Sequence, residues 1–162
     1  MRALRFSAVL AAALFLSSCG PDVDLTKGLQ VTIVDSGWYD DGIVNGQNKL
    51  VPSVTFTLKN VSDRKLASLQ VNALFRRVTE KDEWGDGLVT AAGSSGLAPN
   101  ADTSPLTIRS QRGYTGSDQS RQEMLANSHF VDAKVELLAK YGSTQWKRIG
   151  EYPIKRVLIE KP

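Results

Sequence analysis

The sequence predicts an all-β domain, a sandwich of two antiparallel sheets with seven to eight short strands and one short helix. Apolar residues recur at every second position in several segments, which is the spacing of a strand that buries one face. Stretches rich in Gly, Asn, Asp and Ser, which favour turns, separate these segments. Residues 29–162 are enough for one hydrophobic core and too few for two, so we expect a single β-sandwich domain there.

The strands are predicted from the alternating segments, in chain order. These are residues 29–33, 53–59, 69–76, 105–108, 131–141 and, with phase slips near Gly150 and Pro153, 146–159. The clearest segment places Val54, Phe56 and Leu58 on one face and polar residues on the other. That pattern is typical of a strand with one face in the core and one in water.

Turns and one helix complete the predicted fold. The turn-forming residues 35–37 are expected to end the first strand, and residues 39–49 to form a loop or a hairpin with a short extra strand. The helix is predicted over residues 118–127, because Ser120 stands three residues before Glu123, the spacing of a capping box. At about two turns, this helix is an addition to the sandwich.

Residues 50–110 carry a resemblance to a known family. A strand runs into residues 59–62, a short polar link follows, and the next strand closes on the pair Leu74-Phe75. This arrangement resembles the FxLYD-type and related immunoglobulin-like domains of bacterial envelope proteins, with Leu74-Phe75 in the place of the family's Leu-Tyr pair. Asn72 stands where the family has phenylalanine, and Arg76 where it has aspartate. The resemblance implies an immunoglobulin-like fold and no particular activity.

The first residues have the pattern of an export signal. Arg2 and Arg5 precede the apolar run 9–16, which is about half of the roughly 20 residues that a membrane-spanning helix needs. Leu16-Ser17-Ser18-Cys19 then resembles the lipobox of bacterial lipoproteins. We therefore expect residues 1–18 to be a cleaved signal peptide; the alternative is a plain secretory signal, cut elsewhere.

The lipobox resemblance implies a lipid on Cys19. The expected modification is a thioether-linked diacylglycerol, commonly with an amide-linked third chain such as palmitate, and two or more acyl chains hold a protein stably at a membrane. Residues 19–28 are then a lipidated tether. Gly20, rather than aspartate after the cysteine, resembles an outer-membrane signal, so the predicted location is the bacterial cell envelope, on the outer rather than the inner membrane and facing the periplasm.

The charge of the chain gives no sign of nucleic-acid binding. The formal net charge is +3, and the loss of Arg2 and Arg5 with the signal peptide would lower it to +1. Lysines and arginines are interspersed with acidic residues, whereas a domain that follows a phosphate backbone concentrates them on one face.

Few residues could carry catalysis. His129 is the single histidine, and its place just before a strand is typical of a solvated or backbone-bonded turn histidine. Cys19 is the single cysteine and would be occupied by lipid. The sequence has no Gly-x-Ser-x-Gly elbow, phosphate-binding Gly-rich loop or Cys-x-x-Cys pair. We therefore expect no catalytic residues and no cofactor.

Acidic residues allow two further hypotheses. Residues 82–87 resemble the start of a calcium loop, but Trp84 occupies the third position, where an oxygen ligand is needed, so no metal site is expected. A hydrolase that uses paired carboxylates is an alternative function. Its candidate residues would be Asp40, Asp41, Asp82 and Asp86.

Aromatic residues near predicted loops are the remaining candidate site. Trp38, Trp84 and Tyr114 are possible ligand contacts, since aromatic rings flanked by polar groups can stack on sugars or hold a peptide. The structural alternative is that these rings cover the core beneath long loops.

The sequence thus favours a lipid-anchored envelope protein that acts as a non-catalytic binding or assembly module. Its expected partners are the membrane, through Cys19, and another envelope protein or a cell-wall component, reached by edge-strand addition or loop contacts. Glycan binding through the loop aromatics and carboxylate-based hydrolysis are the alternatives.

Overall fold

A computed structural model describes residues 22–159 and confirms the all-β sandwich. The predicted signal peptide and Cys19 lie outside the described residues. Within them are nine strands and two short helices. These are α1 (Leu25–Gly28), β1 (Leu29–Val44), β2 (Gln47–Asn60), β3 (Leu69–Arg77), β4 (Gly85–Ala92), β5 (Leu106–Arg109), β6 (Tyr114–Gly116), α2 (Arg121–Ala126), β7 (Ala133–Lys140), β8 (Lys147–Pro153) and β9 (Leu158–Ile159).

The strands form two sheets in the order of an immunoglobulin-like sandwich. One sheet has the order β5-β2-β1-β9, with β6 also paired to β2, and the other has the order β4-β3-β7-β8. The chain therefore builds β1 and β2 in one sheet, crosses to the other for β3 and β4, returns for β5 and β6, and crosses again for β7 and β8. All neighbouring strands are antiparallel except β1 and β9, which are parallel.

The core lies between the sheets and follows the predicted alternation. In β2, Val54, Phe56 and Leu58 are fully buried, as are the alternate residues of β3 and β7 that face them. Burial of each large apolar side chain contributes roughly 1.5–3 kcal/mol, so these inward faces hold the sheets together. Among the described residues, no helix is long and apolar enough to cross a membrane.

The first strand is longer than predicted. It does not end at residues 35–37 but continues to Val44, with a bulge between Ile33 and Asp35. The turn-forming residues are accommodated because Gly37 lies against β9, where an added Cβ would come 2.8 Å from the carbonyl oxygen of Val157. Residues 39–49 form the expected hairpin, with full-length strands on both sides of the turn.

The predicted tether is also shorter than residues 19–28. Leu25 is 1% exposed and belongs to the core, and Asp24 caps α1 by accepting a hydrogen bond from the backbone N–H of Thr26. The backbone N–H of Val23 donates a 2.6 Å hydrogen bond to the Tyr141 hydroxyl, between β7 and β8. Residues 23–28 are therefore part of the domain.

The second helix forms as the capping box predicts. The backbone N–H of Ser120 donates to Glu123 Oε2 at 2.6 Å, and that of Glu123 donates to Ser120 Oγ at 3.2 Å. The helix covers Arg121–Ala126, six residues, and buries Met124 and Leu125.

A buried asparagine organises the link after β2. Asn60 is fully buried, and its side-chain amide donates to the carbonyl oxygens of Arg64 at 2.7 Å and Leu97 at 2.9 Å. Its Oδ1 accepts from the backbone N–H of Ser62 at 3.0 Å and from the Ser62 hydroxyl at 2.6 Å. One side chain thus joins the β2–β3 and β4–β5 links.

Strand register places these links at one end of the sandwich. Leu29 pairs with Asn60, and Gln70 pairs with Lys140, so β1 and β3 begin where β2 and β7 finish. We call this the N-terminal end: it comprises α1, the β2–β3 link (residues 61–68), the β4–β5 link (residues 93–105) and the β7–β8 link (residues 141–146). The opposite end holds α2 and is called the aromatic end.

Candidate functional site

Four aromatic rings from separate parts of the chain meet at the aromatic end. Trp38 lies in β1, Trp84 precedes β4, Tyr114 begins β6, and Phe130 lies between α2 and β7. The Trp38 ring centroid is 4.5 Å from that of Phe130, 5.6 Å from that of Tyr114 and 6.2 Å from that of Trp84. We call these four residues the aromatic cluster.

Backbone hydrogen bonds position the rings that come from loops. The N–H of Trp84 donates to the carbonyl oxygen of Phe75 at 2.8 Å, which continues the β3–β4 pairing by one residue. The Tyr114 hydroxyl donates to the carbonyl oxygen of Val131 at 3.2 Å, and the Phe130 N–H donates to that of Asn127 at 3.0 Å. The cluster is therefore held on both sheets.

The three aromatic residues predicted as ligand contacts lie together but differ in exposure. Trp38 is 0% exposed and forms the buried centre of the cluster, so the structure corrects its assignment to a ligand-facing surface. Periodicity could not show this, because Trp38 follows the turn-like residues 35–37. Trp84 and Tyr114 are half-buried and keep part of their surface in solvent.

Two arginines lie over rings of the aromatic cluster. The guanidinium carbon of Arg77 is 5.5 Å from the Trp84 ring centroid, and that of Arg156 is 5.2 Å from the Phe130 ring centroid. Arg156 Nε also donates to Asp132 Oδ1 at 2.7 Å, and this hydrogen bond raises the pKa of Arg156 above its ordinary value. Sequence reasoning missed both arginines, since nothing local links them to these rings.

A cavity of about 120 Å³ opens beside the aromatic cluster. Its lining combines aromatic, thioether and hydrogen-bonding side chains: Tyr114, Thr115, Gln119, Met124, Asn127, His129 and Phe130. This volume is well below the roughly 300 Å³ of the smallest usual ligand pockets. One side chain or one functional group of a larger partner fits this cavity better than a whole small molecule does.

Helix α2 forms one wall of this cavity because the strand beneath it ends in glycine. A Cβ on Gly116 would come 2.8 Å from Met124 Cγ, so glycine lets the helix approach closely. Asn48 Nδ2 donates to the carbonyl oxygen of Gln119 at 2.6 Å and ties the preceding loop to β2.

His129 lies at the cavity rim as an exposed turn residue. Its backbone N–H donates to Asn127 Oδ1 at 2.9 Å, and its ring Nδ1 is 3.3 Å from the same oxygen. The geometry agrees with the predicted backbone-bonded turn histidine. An amide oxygen beside the imidazole orients the ring but is not a carboxylate that could strengthen a general base.

The candidate carboxylates are divided between the two sheets. Asp40 Oδ2 is 2.9 Å from Arg121 Nε, and Asp41 Oδ2 is 2.8 Å from Lys49 Nζ, both from the end of β1. Asp82 is exposed before β4, and Asp86 lies within β4 of the other sheet. Residues 22–159 contain no group of three or more His, Cys, Asp or Glu side chains that could hold a metal ion. This arrangement gives no support to carboxylate-based hydrolysis.

Comparisons with known proteins give little beyond this geometry. No protein-family model matches the chain, and no curated protein is significantly similar to it. One solved structure, the "X-ray structure of Northeast Structural Genomics Consortium target SoR45", is similar at 15% sequence identity, with a TM-score of 0.40. The match covers 81% of this chain and 85% of that one.

Proposed function

We propose that this protein is a lipid-anchored component of the bacterial cell envelope whose sandwich is a non-catalytic binding or assembly module facing the periplasm. The observation that carries the proposal is the placement of two features at opposite ends of the sandwich. The described chain enters at the N-terminal end, where Val23 is fixed to Tyr141. The aromatic cluster and its cavity lie at the other end.

This placement suits a module displayed from a membrane. A strand of nine residues such as β3 spans about 30 Å at roughly 3.4 Å per residue, so the two ends are separated by most of the length of the sandwich. A lipid on Cys19 would keep the N-terminal end near the bilayer. The aromatic end would then point away from the bilayer, toward partners in the periplasm.

The aromatic end has the composition of a protein-binding surface. Half-buried Trp84 packs against half-buried Tyr114 and beneath Arg77, and Arg156 lies over the neighbouring Phe130 ring. Aromatic and arginine side chains dominate the energetics of protein interfaces. The small cavity next to them can take one side chain of a partner. Loop contacts at this end are therefore our first candidate for the binding mode.

Edge-strand addition is disfavoured at two of the sheet edges, those of β4 and β1. The β4 edge lies against the other sheet, where a Cβ on Gly87 would come 3.0 Å from the carbonyl oxygen of Arg109. The first half of β1 pairs only with β2 among the described strands, because β9 reaches no further than Trp38 and Tyr39. A bulge at Ile33 interrupts this free edge, and bulges discourage strand addition.

Glycan binding is a second candidate, but fewer aromatic residues are available for it than the sequence predicts. Tyr114 offers a partly exposed ring next to the hydrogen-bonding groups of Thr115, Gln119 and Asn127, a combination that suits a sugar edge. Trp38 cannot take part because it is buried.

The anchor is tested by growth with labelled palmitate. The parent protein should incorporate label and the Cys19→Ser variant should not, because the thiol is the attachment site. Fractionation of the labelled cells should place the parent in the outer membrane. Equal labelling of parent and variant would contradict the anchor.

The partner surface is tested by photocrosslinking in living cells. A photoreactive residue at Thr115, on the cavity rim, should form one defined adduct, whereas the same residue at exposed Thr90 in β4 serves as the matched control. A protein adduct specific to position 115 supports the assembly module, and a peptidoglycan adduct supports glycan binding. Identical adducts from both positions would contradict a partner surface at the aromatic end.

A further inference from the structure

The β7–β8 link lies where the chain enters the domain. The backbone N–H of Val23 donates a 2.6 Å hydrogen bond to the phenol oxygen of Tyr141, the first residue of that link. Residues 22–25 line a cavity of about 440 Å³ together with Thr144, Gln145 and Lys147. The β7–β8 link and the entering chain thus form one surface.

Trp146 is the exposed aromatic residue of this surface. Its side chain is 36% exposed, and Lys140 Nζ lies 4.9 Å from the centroid of its ring. An indole that is partly in solvent, next to lysine ammonium groups, is the combination found at the interface between a bilayer and water. The buried tryptophan at the aromatic end, Trp38, has no such exposure.

The number of residues before the domain limits how far this surface can lie from a lipid anchor. Cys19 precedes Val23 by four residues, and an extended chain spans at most about 3.6 Å per residue, which gives a reach of about 14 Å. The polar headgroup region of one leaflet is itself roughly 5–8 Å thick. A lipidated Cys19 would therefore keep Val23, and the Tyr141 that it contacts, within about 14 Å of the anchor, which is close enough for the β7–β8 link to reach the headgroups.

We propose that the β7–β8 link rests on the membrane surface, with the Trp146 indole at headgroup level and Lys140 and Lys147 directed to lipid phosphates. The occupant of this surface is the headgroup layer of the bilayer that holds the anchor. This inference rests on the proposed lipidation of Cys19. Beyond the lipid attachment, the inference gives the domain a fixed orientation, in which it lies against the bilayer and does not move freely on its tether.

The indole is expected to contribute more to membrane binding than the charges at this end. Lys27, Lys140 and Lys147 are accompanied by Asp22 and Asp24, so attraction to anionic lipid is partly offset. The hydrogen bonds that Asp24 accepts from Thr26 hold the pKa of its carboxyl below the ordinary value, and the side chain stays ionised at neutral pH. Burial of the indole is independent of this balance.

The test is fluorescence quenching in reconstituted vesicles. The lipidated mature protein, labelled with palmitate, is incorporated into vesicles of phosphatidylethanolamine and phosphatidylglycerol whose acyl chains are brominated near the glycerol. Bromine should quench the tryptophan fluorescence of the parent. This quenching should be lost in Trp146→Phe and kept in Trp84→Phe, the matched control at the aromatic end.

Each outcome separates the two proposals. Equal quenching of parent and Trp146→Phe, or loss of quenching in Trp84→Phe instead, would overturn the orientation while palmitate uptake still supports the anchor. Absence of quenching in a palmitate-labelled parent would also overturn it, and would point to a second copy covering Trp146 if the emission depends on protein concentration. A parent that takes up no palmitate would overturn both proposals.

Discussion

The two ends of the sandwich are closed in different ways. At the aromatic end, four rings from both sheets fill the space between the strands, and Trp38 lies at their centre. At the N-terminal end, the side chain of Asn60 joins two links by hydrogen bonds, and the short helix α1 covers the core with Leu25. One end is closed by aromatic rings, and the other by buried leucines together with an asparagine whose hydrogen bonds join the links.

This difference bears on where each end can make contacts with other molecules. Aromatic packing leaves ring edges and a cavity at the surface, where one side chain of a partner can enter. Hydrogen-bonded links leave little apolar surface apart from Trp146 and Val61, which are 36% and 45% exposed. A recognition surface at the first end and a membrane-facing surface at the second agree with these two compositions.

The largest expected effect is on the packing of the aromatic end. Trp38→Ala removes the ring that contacts the other three and should lower the free energy of unfolding by about 3–5 kcal/mol. Trp146→Ala, at the opposite end, removes a partly exposed ring and should cost about 0.5 kcal/mol. Denaturant unfolding followed by circular dichroism measures both. Equal losses would show that the aromatic end is not closed mainly by Trp38.

The next effect is on the hydrogen bonds of the N-terminal end. Asn60→Ala removes the hydrogen bonds that this side chain makes with Arg64, Leu97 and Ser62, and it should cost about 2–3 kcal/mol. Each such bond contributes roughly 0.5–1.5 kcal/mol, and the backbone N–H of Ser62 loses its acceptor.

Asn127 at the aromatic end provides the control for that measurement. Its side chain accepts an exposed hydrogen bond from the His129 N–H, so Asn127→Ala should cost only about 0.5–1 kcal/mol in the same unfolding experiment. If Asn127→Ala proved as costly as Asn60→Ala, the special role of a buried asparagine at the N-terminal end would be wrong.

The smallest effect concerns the two helix caps, one at each end. The side-chain hydroxyl of Thr26 first, and then its backbone N–H, lower the pKa of Asp24 at the cap of α1. The backbone N–H of Ser120 lowers the pKa of Glu123 in the α2 capping box. Because both folded-state pKa values are depressed, their stabilising contributions are present above the unfolded values of roughly 4 and are lost as the pH falls through the folded values.

Thr26→Ala should therefore raise the pKa of Asp24 toward its ordinary value and leave that of Glu123 unchanged. Titration of the two side-chain carboxyl carbons by NMR measures this directly. A shift at both carboxyls would mean that the caps are coupled across the sandwich. An unchanged pKa of Asp24 would mean that the hydrogen bond from the Thr26 hydroxyl does not form in solution.

Local sequence patterns were sufficient to predict the elements that depend on regular spacing along the chain. The alternation in β2, β3 and β7 is correct because each strand buries alternate residues against the facing sheet. The α2 capping box is correct because Ser120 and Glu123, three residues apart, bond to each other. Such interactions depend on spacing within a few residues, and spacing is visible in a sequence.

The failures lie where a residue is fixed by a distant part of the chain. Residues 35–37 look like a turn but are held as strand by pairing with β2. Residues 23–28 look like a tether, yet Leu25 reaches the core. The long apolar pattern over residues 146–159 divides into β8 and β9 because each strand joins a different sheet.

By itself the sequence determined the fold class, the inward-facing residues of the central strands and the α2 cap, because alternation and capping are local properties. It also carries the lipobox resemblance, which remains a prediction. Only the tertiary structure decided that Trp38 is core and that Arg77 and Arg156 lie over the cluster. It alone placed the chain entry and the aromatic cluster at opposite ends. Those facts depend on contacts between residues far apart in the chain, which no local spacing encodes.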